Sequence, residues 1–198
     1  MINYDLLANF SKNIAVISAN GKHYKYKELL EYTQEITKKL ESRSLVFCLS
    51  QNSIGSLVGY LSFITNNVVP LMLDNSIDQE LLDNLIVTYK PEYMWMPAKN
   101  THSIKGSELV INFLDYSLVK LSSIKGFLLH DDIGLLLSTS GSTGSPKLVK
   151  LTYKNIYSNA ESISEYLSIC ENERPITSLP MNYSFGLSII NSHLINGA

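Results

Sequence analysis

Ser138-Thr139-Ser140-Gly141-Ser142-Thr143-Gly144-Ser145-Pro146-Lys147 concentrates hydroxyls, glycines and one lysine in ten consecutive residues. Glycine frees backbone N–H groups to converge on an anion, and serine and threonine hydroxyls add further donors. Lys147 supplies a mobile positive charge that can follow a phosphate as charge builds up on it. The chemistry implied is binding of a nucleotide or pyrophosphate. A Walker-type loop is excluded, because it needs G-x-x-x-x-G-K-[ST] with a helix starting at the lysine. Here Pro146 precedes the lysine and Leu148, not a hydroxyl residue able to hold magnesium, follows it. A plain Gly/Ser linker is the competing reading, but the loop follows an apolar run too closely for that.

The elements that must position this loop come from hydrophobic patterning. Ile133-Gly134-Leu135-Leu136-Leu137 reads as a buried strand leading into it, and residues 147–151 as a strand leading out. His130-Asp131-Asp132 forms the polar lead-in to the first of these. Upstream, residues 45–49, 68–73 and 93–96 are short apolar runs of strand length. Between them, residues 27–40, 54–64 and 81–89 carry apolar positions at helical spacing, with Asn52 or Ser53 as cap of the second helix and Pro91 ending the third. Asn20-Gly21, between residues 14–17 and 22–24, predicts a hairpin whose turn uses positive φ. Residues 108–114 and 116–121 read as short strands and 100–106 as a surface loop. Downstream, residues 153–169 and 185–195 read as helices and 176–179 as a strand. Alternation of strand and helix predicts an α/β fold, a mostly parallel sheet flanked by helices on both faces.

Composition narrows the function. The chain has 198 residues, 45% hydrophobic and 17% charged, with net charge -2. That suffices for a sizeable core and offers no basic footprint for nucleic acid. Cys48 and Cys170 are far apart, the four histidines do not cluster with them or with carboxylates, and no metal-ligand set is predicted. The apolar stretch 54–73 is broken by Asn66-Asn67 and Pro70, so no membrane span is expected. The first residues lack the charge and apolar run of a secretory signal, and a cytoplasmic setting is expected. Cys48 reads as a buried core thiol, His193 as a structural histidine, and Asp74 as a turn or cap residue.

The loop closely resembles the phosphate loop of the adenylate-forming enzymes, the superfamily of acyl-CoA synthetases, peptide-synthetase adenylation domains and luciferase. Leu151-Thr152-Tyr153-Lys154-Asn155 resembles the start of the helix that follows, with Tyr153 where many members carry His and Leu148 where many carry Gly. Leu179-Pro180-Met181-Asn182-Tyr183-Ser184-Phe185-Gly186-Leu187 resembles the next signature, and Tyr24-Lys25-Tyr26-Lys27-Glu28-Leu29 and Val69-Pro70-Leu71-Met72-Leu73-Asp74 the first two. The resemblance covers essentially the whole chain in order. It implies that residues 1–198 are the N-terminal part of an AMP-binding domain, with strand, phosphate loop and strand at 133–151 and the small C-terminal domain absent.

The resemblance implies a two-step acid–thiol ligase. A carboxylate attacks ATP, releases pyrophosphate and forms an acyl-adenylate. The acyl group then passes to CoA or a carrier protein's phosphopantetheine. Lys147 would act in catalysis, with Thr139, Ser140, Gly141, Ser142, Thr143, Gly144 and Ser145 holding the phosphates. Tyr183 would lie at the acyl pocket beside the bound carboxylate, with Ser184 and Gly186 shaping the turn. The family's Tyr-Gly-x-Thr-Glu segment, which seats adenine and supplies a magnesium-binding glutamate, and its Tyr-Arg-x-Gly-Asp segment do not occur in the sequence. Magnesium is therefore expected to be held from outside these residues, and the chain alone is expected to give no turnover. The alternatives are a non-catalytic module that binds ATP or polyphosphate, and a structural or interaction protein that has lost activity.

Overall fold

Leu45-Val46-Phe47-Cys48-Leu49 has no polar side chain to turn towards water, so a strand built from it must be covered on both faces. The computed structural model describes residues 1–104, 106–121, 127–138 and 147–198, the side chains of His102 and Ser103 excepted. In it β3 (Leu45–Ser50) is buried at every position. It pairs in parallel with β4 (Val69–Asp74) and β5 (Tyr93–Pro97), and β4 pairs in parallel with β8 (Ile133–Ser138).

Among the described residues the sheet has seven strands in the order β6-β7-β5-β3-β4-β8-β9, with β6 (Ser107–Phe113), β7 (Tyr116–Leu121) and β9 (Leu148–Thr152) completing it. The β6–β7, β5–β7 and β8–β9 pairs are antiparallel, so only β7 and β9 oppose the other five strands. Mostly parallel therefore holds, with reversals confined to the flanks. β1 (Ile14–Ile17) and β2 (His23–Lys25) form a separate antiparallel pair. Their turn uses positive φ at Gly21 alone, at 79°. The Gly21 N–H donates to Ser18 O at 2.8 Å, and the Ser18 N–H to Lys22 O at 2.9 Å. The loop is thus a turn with one left-handed residue at its end, and Asn20 stays out of that region.

Period-two alternation splits the core. Val46 and Cys48 face one layer with α2 (Tyr26–Thr37), α3 (Ile54–Ile64), α5 (Tyr153–Leu167) and α6 (Ser184–Leu194). Leu45, Phe47 and Leu49 face the other, with Leu82 and Leu85 of α4 (Gln79–Tyr89). Helices do cover both faces. Burial pushes the Cys48 thiol well up, as expected of an inert core cysteine. Among the described residues no helix is long and apolar enough to cross a membrane.

Two sequence expectations fail. Residues 176–179 form no strand: 173–178 have no assigned structure and Ile176 is 80% exposed. The residue types suit a strand, but no neighbouring strand among the described residues offers a ladder. In addition, α1 (Tyr4–Ala8) was not foreseen; its five residues are too few to show periodicity, and Asn3 Oδ1 caps it by accepting from the Leu6 N–H at 2.9 Å. The loop expected over 100–106 begins instead with a short 3-10 helix, Ala98–Ser103.

Buried tyrosines make this core sensitive to alkali. Burial pushes the Tyr116 phenol from an ordinary 10.0 up to about 12, and pushes those of Tyr26 and Tyr60 up strongly. Above pH 10 or so the unfolded chain releases these protons while the folded one retains them, so stability falls with rising pH. The unfolding temperature should drop as pH passes about 10, less steeply in Tyr60→Phe. A midpoint that stays flat to about pH 12 would contradict this.

Candidate functional site

Ser138 is the last residue of β8 and pairs with Leu148, the first of β9. The residues that flank the glycine- and hydroxyl-rich sequence therefore lie side by side in the sheet. Thr139, Ser140, Gly141, Ser142, Thr143, Gly144 and Ser145 lie outside the described residues. Lys147, beside Leu148, is described and exposed.

The opposite end of β8 is fastened by Arg43. Its guanidinium donates to Asn67 Oδ1 at 3.1 Å, to Ile133 O at 3.0 Å and to His130 O. Burial raises the Tyr153 phenol beside it, an effect the Arg43 charge partly offsets. His130 and Asp132 are both exposed, with the Asp132 carboxylate 3.7 Å from His130 Nδ1. That arrangement suits the polar lead-in expected of them.

In parallel sheets, ligands gather beyond the carboxyl ends of the strands. Ser50, Asp74 and Ser138 end three neighbouring parallel strands at one such edge. Asp74 Oδ1 accepts from the Ser76 N–H at 2.7 Å, which makes it a turn residue as expected. Just beyond β3, Ser53 caps α3 by accepting from the Ser56 N–H at 3.3 Å. Asn52, freed from capping, reaches across to a distant segment. Its Nδ2 donates to Thr177 O and, at 3.0 Å, to Leu179 O. The segment leading to Tyr183 is thus moored to the edge at which the loop begins.

Tyr183 sits at the N-cap of α6, 52% exposed, and provides no side-chain cap. Its N–H closes a turn onto Pro180 O at 3.2 Å. Gly186 makes that turn possible, because a Cβ there would lie 2.2 Å from Pro180 O. The rest of α6 is pinned from beneath. Tyr60 donates to Asn191 Oδ1 at 3.0 Å, Tyr26 to Leu194 O at 3.2 Å, and Ser164 to Ser192 O at 3.0 Å. His193 is part of this framework, its Nδ1 2.7 Å from Ile189 O.

The structure therefore brings the start of the loop and the lead-in to Tyr183 to one edge. Sequence reasoning missed Asn52, whose type and position suggested a helix cap. It also missed Arg43, which carries no local signal. A cavity of about 300 Å³ lined by Leu49, Asn75, Leu82, Lys99 and Asn100 lies on the α4 face instead, away from the layer that holds α6.

The family model of AMP-binding enzymes matches residues 7–198. This chain belongs to that family. Among curated relatives, a 2-succinylbenzoate–CoA ligase from Oceanobacillus iheyensis is 26% identical over 206 residues, spanning 92% of this chain and 40% of the relative. Among solved structures, ATP-bound MatB from Rhodopseudomonas palustris superposes with TM-score 0.79 at 20% identity, over 100% of this chain and 44% of that one. MenE from Bacillus subtilis in complex with an acyl-adenylate intermediate gives TM-score 0.74 at 19% identity, over 98% and 54%. The chain thus spans well under two thirds of these proteins, and the structural likeness is one of fold.

Proposed function

We propose that this chain forms the phosphate-binding part of an ATP-dependent carboxylic acid–CoA ligase. One observation supports the reading: in a member of the AMP-binding family, β8 ends with Ser138 at the carboxyl edge of the parallel strands, directly before a glycine- and hydroxyl-rich sequence that runs to Lys147. The donor set fits a triphosphate, with its many N–H and O–H groups, one cation and no carboxylate between Ser138 and Lys147. Thr139, Ser140, Gly141, Ser142, Thr143, Gly144 and Ser145 hold the phosphates. Lys147 stabilises charge on the departing pyrophosphate, an electrostatic role that needs little covalent chemistry from the protein. Tyr183 flanks the acyl group and shields the carboxylate from water. Magnesium, held by a carboxylate outside these residues, would supply further charge neutralisation.

The carboxylate oxygen attacks the α-phosphorus of ATP, the bond to pyrophosphate breaks, and an acyl-adenylate forms. A thiol then displaces AMP to give a thioester. The names of the curated relatives favour CoA as that thiol over a carrier protein's phosphopantetheine. The setting is the cytoplasm, where ATP and CoA are available. Because the chain spans 40% of its relative's length, residues 1–198 alone should form no acyl-CoA.

The test is carboxylate-dependent ATP–pyrophosphate exchange by the protein as its gene encodes it, across a panel of carboxylic acids. Exchange that depends on one class of acid supports the reading. A folded protein that binds ATP yet exchanges with no acid overturns it in favour of a non-catalytic nucleotide-binding module.

A further inference from the structure

Asn182 is 6% exposed, between Met181 at 2% and Tyr183 at 52%. Its Oδ1 is closed off from solvent and meets no donor among the described residues. An unpaired amide oxygen in such a place is costly, and a hydrocarbon side chain of similar volume would suit it better. The local fold had a use for it and does not take it. Asparagine is among the best helix caps, and α6 begins two residues later with no side-chain cap. Asn182 stands one residue too early to serve, so its buried acceptor goes unused just before a helix that begins without a side-chain cap.

Its neighbours expose apolar surface, the kind of surface on which ligand sites draw when a few polar groups are placed within it. Leu179, Tyr183 and Phe185 are 38%, 52% and 65% exposed. Asn52 ties this segment to the sheet edge from which the loop departs. We propose that Asn182 selects the acyl substrate: its Oδ1 accepts a hydrogen bond from a hydroxyl or amino group carried by the carboxylic acid. The substrate class is then hydroxylated or amino-bearing acids rather than plain hydrocarbon acids. Contact requires the flanking side chains to turn aside on binding, a rotamer-scale change. The inference rests on the acid-activation reading above.

Asn182→Leu tests it through two readouts. The first is the ratio of kcat/KM in ATP–pyrophosphate exchange for matched acids: 3-hydroxybutyrate against butyrate, alanine against propionate, 4-hydroxybenzoate against benzoate. The wild-type protein should prefer the donor-bearing acid of at least one pair by about 10- to 100-fold, and the variant should lose that preference. The second is the melting temperature without ligand, which should hold or rise in the variant because an unpaired polar atom has been removed. A fall in melting temperature would show that the amide serves the fold and would overturn the inference whatever the exchange result. A wild-type preference for the plain acid in every pair, or a preference that survives in the variant, would overturn it while leaving acid activation intact. Exchange with no acid at all overturns both, since the acceptor would then have no substrate to meet.

Discussion

Lys147→Ala should lower acid-dependent ATP–pyrophosphate exchange by about 100- to 1000-fold, the usual cost of removing one preorganised group that stabilises transition-state charge. Lys147 is exposed and precedes the residue that pairs with Ser138, so β9 keeps its register without it. Exposed substitutions of this kind leave stability within about 0.5 kcal/mol, and the melting temperature should hardly move. The loss should fall on kcat more than on KM for ATP, because the charge that Lys147 meets grows as pyrophosphate leaves. Lys147→Arg should recover only part of the rate, since a planar guanidinium is not a substitute for a compact, mobile ammonium. A drop of less than about 10-fold in the alanine variant, with melting unchanged, would remove Lys147 from the proposed chemistry.

Elements whose signals are local were the legible ones. The run at 45–49 could only be a doubly covered strand, and it is. Of the two cap candidates Asn52 and Ser53, Ser53 is the one that accepts a hydrogen bond from the first turn of its helix. The sequence between β8 and β9 carries a chemical signal because its residue types are so unlike a core, and its residues 139–146 lie outside those described. What escaped depends on partners distant in sequence. The segment 176–179 has strand-forming residues, yet a strand exists only where another strand offers a ladder, and here the nearest polar partner is a side chain, Asn52, some 125 residues away. Arg43 reaches Ile133 across 90 residues of chain. Asn182 was hidden for a different cause. Its neighbours in the signature set the eye on Tyr183, and only the three-dimensional burial shows that its acceptor goes unused.

Gly186→Ala should lower both stability and activity, with a sign opposite to that of an ordinary helix substitution. Gly186 lies in the first turn of α6, where replacing glycine by alanine normally stabilises by about 1 kcal/mol. Here the new methyl would lie 2.2 Å from Pro180 O and 3.0 Å from Leu179 O. Both obstacles are backbone, so no rotamer change can clear them. The remainder of the helix cannot shift in compensation, because Tyr60, Tyr26 and Ser164 hold Asn191, Leu194 and Ser192. The strain must therefore go into the turn from Pro180 to Tyr183, and overpacking of this kind costs about 1–3 kcal/mol. Displacing Tyr183 by roughly 1 Å should also cost up to about 100-fold in exchange, since positioning errors of that size carry such penalties. Ser188→Ala is the control: it lies one turn further along α6, where its hydroxyl donates to Ser184 O and Asn159 Oδ1. Calorimetry and exchange on the two variants decide the matter. A Gly186→Ala protein that melts higher than the wild type would show that the turn can open without loss, and Tyr183 would then need no fixed place for the acid to react.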